Sequence, residues 1–536
     1  MKATACIAAA LAALIAPRFS AAPQPPPKLA VVIVVDQMRA DYVDRFHGEW
    51  SGGLKRMVTQ GAWFQHAAYP YLTTVTCAGH ASISTGSFPH THGVFQNAWW
   101  DRDARKQMPC TEDPKATAVG YGVRVTGGDS PWRLQVPTFT DQMRTSRQAH
   151  VVSLSLKARS AIMLAGHGGD AVTWLTETLD GWETSGVYSE QGVPAVKAFV
   201  DANPLAADFG KTWDRSLPAA SYSGADDGVG EAPPAGWTRT FPHVLKGTAG
   251  VVDDSYFAQW ERSPFGDAYL GRFAAALVQS LKLGTHEGTD VLAVSFSSPD
   301  LVGHAFGPNS QEVQDIYARL DKTLGALFDQ LDASVGKDQW VAGLSADHGV
   351  TPIPEQLIAA GKDAGRINGG AIVDAIEQAL KPALGQGRHV IALNTNDIYF
   401  EPGVYDKMLK SRPLLTAVVS AIASQPGIAR VFRSEELRGA AGSKDALLRA
   451  AALSYFPGRS GDLVFVPKPG WMISSAGTTH GSASADDQRV PVLFLGRGVK
   501  PGTYAQAATP ADLTPTLAAL SGLAMKAEGH ALPCIQ

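Results

Sequence analysis

Carboxylates and imidazoles recur along this chain at spacings that suit divalent-cation binding. In S-P-D-L-V-G-H at 298–304, Asp300 and His304 lie four apart, after an apolar run and before a Gly-Pro turn. One local turn can bring such a pair onto one cation. In S-A-D-H-G at 345–349, Asp347 and His348 are adjacent. Neighbours on a strand point opposite ways, so both can serve one centre only from the irregular turn beyond the strand. In G-T-T-H-G at 477–481, His480 precedes a glycine and an apolar run, and Asp36 follows the apolar run LAVVIVV. Three Asp and three His offer N/O donors enough for two zinc ions with open positions. Any one of these histidines alone is as well explained by core or surface packing. Their recurrence where apolar runs end carries the metal reading.

A nucleophile stands among them. T-V-T-C-A-G-H-A-S-I at 74–83 passes from loop to helix and places Thr76 at or near the helix N-terminus. Free N–H groups and the helix dipole favour an anion there. A threonine hydroxyl attacks poorly until its proton is removed, which a bound Zn²⁺ promotes. Read alone, Thr76 fits an N-cap equally well. Cys77 is a competing nucleophile unless it is paired, and Cys110 is its available partner, leaving Cys534 unpaired. In S-L-S-L-K-A-R at 153–159, Lys157 and Arg159 leave a strand two residues apart, which on extended chain puts both cations on one face. A phosphate monoester carries one more anionic oxygen than a diester, and a lysine point charge with an arginine fork can neutralise it.

These residues need a scaffold that brings them to one edge. Apolar runs at 29–35, 150–156, 290–297, 339–346 and 490–495 alternate with helical patterns at 310–332 and 511–521. That alternation predicts an α/β fold: a mostly parallel central sheet with helices on both faces and ligands beyond the strands' C-terminal ends. Residues 180–255 and 355–470 break the rhythm and are expected to form inserted cap regions. The catalytic domain is expected to span 29–536.

Lys2, the apolar stretch at 5–16 and Ser20-Ala21-Ala22 read as a signal peptide over 1–22, followed by a Pro-rich linker at 23–28. The expected product is periplasmic or secreted, without a membrane span. A net charge of −4 and no long basic run argue against nucleic acid as a dedicated partner. Hydrophobic residues at 45% and charged residues at 18% allow a sizeable core. The oligomeric state is not legible.

D-Q at 36–37, T-C-A-G-H at 76–80, H-G-V-F-Q-N at 92–97, SPDLVGH, SADHG, TTHG and D-L-T-P-T-L-A-A-L-S-G at 512–522 occur in this order. Together they resemble the alkaline phosphatase superfamily. The narrower likeness is to the branch holding nucleotide pyrophosphatase/phosphodiesterases and periplasmic phosphatases with a threonine nucleophile. The resemblance implies one zinc on Asp300, His304 and His480, another on Asp36, Asp347 and His348 with Thr76 beside it, and a phosphothreonine intermediate. It implies that Asn97 donates to a phosphoryl oxygen and that Lys157 and Arg159 favour monoesters. The expected function is thus an exported zinc-dependent alkaline phosphatase acting on small-molecule phosphate monoesters, with weaker diesterase activity. A secreted nucleotide pyrophosphatase/phosphodiesterase is the alternative. A sulfatase would need proline at 79 and arginine at 81, where Gly79 and Ala81 stand. Trp99 and Trp100, close to Asn97, are candidates to stack a leaving group or to pack the core.

Overall fold

The computed structural model describes residues 25–536; the segment read as a signal peptide lies outside them. In chain order the main strands are β1 (Leu29–Val35), β2 (Ala62–Ala67), β3 (Ala118–Gly120), β4 (Val151–Ser155), β5 (Ala171–Leu175), β6 (Trp182–Ser185), β7 (Asp290–Phe296) and β8 (Trp340–Ser345). A second sheet follows with β9 (Val390–Asn394), β10 (Asp397–Phe400), β11 (Ile428–Arg433) and β12 (Leu463–Pro467). β13 (Val492–Gly496) and β14 (Gly502–Ala508) return to the first. The central sheet has ten strands in the order β14-β2-β13-β8-β1-β7-β4-β5-β6-β3.

β5, β4, β7, β1 and β8 form a continuous parallel block. β1 shows why: all seven residues are apolar and buried, as a strand covered on both faces requires. Leu29, Val31, Ile33 and Val35 join one core cluster, while Ala30, Val32 and Val34 join another on the opposite face. Helices Pro264–Ser280 and Gln311–Leu331 contribute to the first cluster; Phe139–Arg147 and Leu513–Leu520 contribute to the second. The run at 490–495 differs from its four predecessors, because β13 is antiparallel to β8 and β2. A fully buried apolar run carries no record of direction, so sequence pattern alone could not set it.

Register positions the chemistry. Val34 pairs with Ser295 of β7 and Ser345 of β8. Asp36 and the turns starting at Ser297 and Ala346 therefore leave the sheet at one edge. Residues 355–470 build a four-stranded sheet, β9-β10-β12-β11, under helices Gly369–Leu384 and Arg412–Ala423. It has its own core, including Ile376, Ile398, Val418 and Phe465. Within 180–255, residues 182–185 are β6 of the central sheet. The rest is anchored on helix Gln311–Leu331 through Asp315, which accepts from Trp213 Nε1 at 2.7 Å and Tyr222 OH at 2.5 Å. Cys77 and Cys110 form a disulfide, and Cys534 is free and buried.

Candidate active site

Helix Thr76–Thr85 begins at Thr76 itself, and the extended Val75 occupies the capping position without a side-chain bond. Thr76 is therefore not the N-cap. Its Oγ1 lies 3.5 Å from His348 Nε2. Gly79, on the next part of this helix, faces the 345–349 turn so closely that a Cβ would fall 2.1 Å from the Asp347 carbonyl oxygen. Only glycine allows that approach.

Ligand atoms of Asp300, His304 and His480 converge within 4.8 Å of one another, and so do those of Asp36, Asp300 and His348. Asp300 thus belongs to both groups, where the sequence reading gave it to one. Its Oδ1 is 3.1 Å from His304 Nε2 and 3.8 Å from His480 Nε2. Asp347 adjoins the second group, with Oδ2 3.3 Å from His348 Nε2. The rings of His348 and His480 stack at 3.4 Å. Backbone carbonyls hold the other ring nitrogens: Nδ1 of His304 lies 2.7 Å from Thr478 O, that of His480 2.8 Å from Thr74 O, and that of His348 2.9 Å from Gly349 O. Each Nε2 is left free to face the centre, the usual outer-shell arrangement for ligating histidines.

Asn97 Oδ1 accepts from the Cys77 backbone N–H at 2.8 Å, which turns Nδ2 outward as a donor. Lys157 is the extended residue before helix Ala158–Ala165, and its Nζ donates to Asp36 at 2.6 Å and Asp300 at 2.5 Å. Arg159 stands in the first helical turn rather than on extended chain, and its Nε is buried without a partner. Asn97, Lys157 and Arg159 line one cavity of about 530 Å³. Trp99 is not a stacking platform, since it is buried against Phe95 at 5.2 Å.

The electrostatics ask for cations. Burial raises the Asp36 pKa well above the usual carboxylate range, and the like charges of Asp300 and Asp347 add to it. Burial would also raise Asp300, but His304 and Lys157 outweigh it and hold that carboxyl well below its ordinary value. Burial lowers Lys157, yet Asp300 and Asp36 carry it above the ordinary lysine value. His480 is held well below the usual histidine value by burial, then by His348 and His304. Asp36 Oδ1 and Asp347 Oδ2 are buried without hydrogen-bond partners. Three buried carboxylates facing one ammonium, with two orphaned oxygens and three converging imidazoles, fit divalent metal ions.

Two residues escaped the sequence reading. Gln37 donates from Nε2 to Asp300 Oδ1 at 2.6 Å and from its backbone N to Asp347 Oδ1 at 3.1 Å, tying the two groups together. It does so from a left-handed backbone with φ 66°, a strained conformation of the kind concentrated at functional sites. His80 places Nδ1 3.2 Å from Asp347 Oδ2 and Nε2 2.8 Å from Ser295 Oγ. Both lie inside quoted motifs, D-Q and T-C-A-G-H, but their partners are distant in sequence.

Residues 30–488 match the family described as type I phosphodiesterase/nucleotide pyrophosphatase. Alkaline phosphatase PafA of Elizabethkingia meningoseptica is 32% identical over 514 residues, covering 92% of each chain. Alkaline phosphatase PhoK of a Sphingomonas species is 31% identical over 531 residues, covering 92% of this chain and 88% of the other. The crystal structure of PafA superimposes with a TM-score of 0.87 at 30% identity, over 96% of this chain and 100% of that one. Murine ectonucleotide pyrophosphatase/phosphodiesterase 5 shares the fold at a TM-score of 0.53 and 15% identity, over 94% of this chain and 97% of that one. The chain belongs to the type I phosphodiesterase/nucleotide pyrophosphatase family of the alkaline phosphatase superfamily.

Proposed function

We propose that this protein is an exported zinc-dependent alkaline phosphatase that hydrolyses phosphate monoesters through a phosphothreonine intermediate. The observation that carries the reading is the convergence of Asp and His side chains beside Thr76, with Lys157 bonded to Asp36 and Asp300 and with Asn97 and Arg159 sharing a cavity wall with Lys157. Asp300, His304 and His480 would hold one metal ion, and Asp36, Asp347 and His348 the other, with Asp300 between them. Zinc suits these N/O donors, and when bound it would supply Lewis-acid activation of the Thr76 hydroxyl and stabilise the departing oxygen.

Thr76 Oγ1 attacks phosphorus in line: its bond to phosphorus forms as the bond to the leaving alcohol breaks. Water then attacks the phosphothreonine, releasing phosphate and restoring the hydroxyl. Asn97 Nδ2 donates to one non-bridging oxygen. Lys157 has one N–H left beyond its two carboxylate partners. Arg159, whose Nε is unpartnered, adds a second positive group on the same side. Charge in the loose transition state resides on these equatorial oxygens, so fixed donors there lower the barrier.

The diesterase alternative has the family description behind it, but the full-length relatives named above are alkaline phosphatases. Purified enzyme loaded with zinc and offered aryl phosphate mono- and diesters separates the two. A larger kcat/KM on the monoester is expected, and a preference for the diester would reverse the reading. Metal analysis of the same preparation tests for two zinc ions per chain.

A further inference from the structure

The carbonyls that orient His304 and His480 belong to Thr478 and Thr74. Both trace back to one side chain outside the two metal groups. Asp487 lies in the short helix Ala485–Gln488 and is 1% exposed. Its Oδ2 accepts from the Ser482 backbone N–H at 3.0 Å and the Ser482 hydroxyl at 2.6 Å. Its Oδ1 accepts from the Thr351 hydroxyl at 2.8 Å.

Each arm ends on one histidine. Ser482 O accepts from the Thr74 hydroxyl at 3.0 Å, so the residue facing His480 is fastened to Asp487 through Ser482. Thr351 O accepts from the Thr478 hydroxyl, which fastens the residue facing His304 through Thr351. His348, in the other group, is held differently. Its Gly349 carbonyl belongs to a residue whose N–H donates to the Asp487 backbone oxygen at 2.8 Å, a bond that survives a change of side chain. Asn396 of the β9–β10 hairpin borders the same cavity of about 320 Å³ as Thr351, Ser482 and Asp487, yet neither its Oδ1 nor its Nδ2 has a hydrogen-bond partner.

We propose that Asp487 is a positioning residue for one metal group: its carboxylate fixes the two carbonyls that orient His304 and His480, and so sets how tightly Asp300, His304 and His480 hold their ion. The inference rests on the two-metal reading above and deepens it.

The test measures zinc affinity of the purified protein by competition with a chromogenic chelator, a readout that needs no turnover. Wild type is expected to hold two zinc ions. Asp487→Ala is expected to weaken one of them about 10–100-fold, the usual cost of removing an outer partner of a ligating histidine, and to leave the other within about threefold. Asp487→Asn can still accept from Ser482 through its oxygen while its amide donates to the Thr351 oxygen, so it should recover most of the loss. Thr351→Val cuts the arm to His304 alone and should weaken the same ion about fivefold, a check that stands if Asp487→Ala does not fold. Asn396→Ala severs no hydrogen bond and should leave both affinities unchanged. In a His304→Ala background, where that group has already lost a ligand, adding Asp487→Ala should change zinc binding less than about twofold. Equal weakening of both ions, no weakening, an Asn variant as poor as Ala, or the same loss from Asn396→Ala would overturn the assignment. Wild type that binds fewer than two zinc ions would instead sink the two-metal reading, and this inference with it.

Discussion

The central sheet and the inserted region serve the site in different ways. In the sheet, parallel strands in register bring Asp36, Asp300, Asp347 and His348 to one edge from backbone locked on both sides, with Asp36 Oδ1 and Asp347 Oδ2 buried and without hydrogen-bond partners. In the insertion, an antiparallel sheet with a core of its own presents a hairpin whose buried carboxamide bonds to nothing in the protein. Groups held by rigid backbone suit chemistry that needs fixed geometry. On the reading proposed above, the reaction belongs to the first region.

Metal removal should break the first region most severely. Chelation is expected to lower turnover on the order of 10⁴-fold, with recovery on adding zinc, as followed by steady-state kinetics. Lys157→Ala or Arg159→Ala should cost about 10²-fold in kcat/KM on an aryl monoester. The loss on the matched diester is expected to be smaller. Equal losses would show that the pair does not read the extra anionic oxygen.

A core truncation in the insertion sharpens the contrast. Ile376 is fully buried in that region's own cluster. Ile376→Ala should remove about 2–5 kcal/mol of stability by denaturant unfolding. The metal content should stay unchanged, because none of the proposed metal ligands lies between 355 and 470.

The smallest effect concerns pH. Burial, outweighing the hydrogen bond from Trp174, raises the Glu183 carboxyl to about 7, with Asp129 and Glu177 adding to it. A carboxyl raised in the folded state binds more protons there than when unfolded, so it favours folding at low pH. That contribution falls as pH rises from the ordinary glutamate value towards 7 and is then fully lost. Glu183→Gln should flatten this dependence and gain about 1–2 kcal/mol above pH 7, after allowance for solvent screening. Urea unfolding at a series of pH values checks it.

Much of the site was legible because its motifs are local. Apolar runs marked the strands, and the polar residues just beyond them marked Asp and His side chains that converge at one edge, since parallel strands covered on both faces must end in turns there. The Cys77–Cys110 disulfide was one possibility the sequence left open. What stayed hidden depends on partners far apart in the chain. The antiparallel direction of β13, the sharing of Asp300 between two groups, and the bridging by Gln37 all arise from packing rather than pattern. The helical setting of Arg159 was missed because the extended segment ends at Lys157, two residues earlier than the sequence suggests. Trp99 looked like a possible stacking surface beside Asn97 and proved to be core.

The central claim is that the Thr76 hydroxyl is the group that attacks phosphorus. Thr76→Ala enzyme, zinc-loaded and assayed for both bound metal and aryl phosphate monoester turnover, tests it most directly. The account predicts about 10³-fold or greater loss of kcat with zinc content unchanged, because the ligand set is intact. Turnover near the wild-type rate in that variant, with its zinc in place, would contradict it.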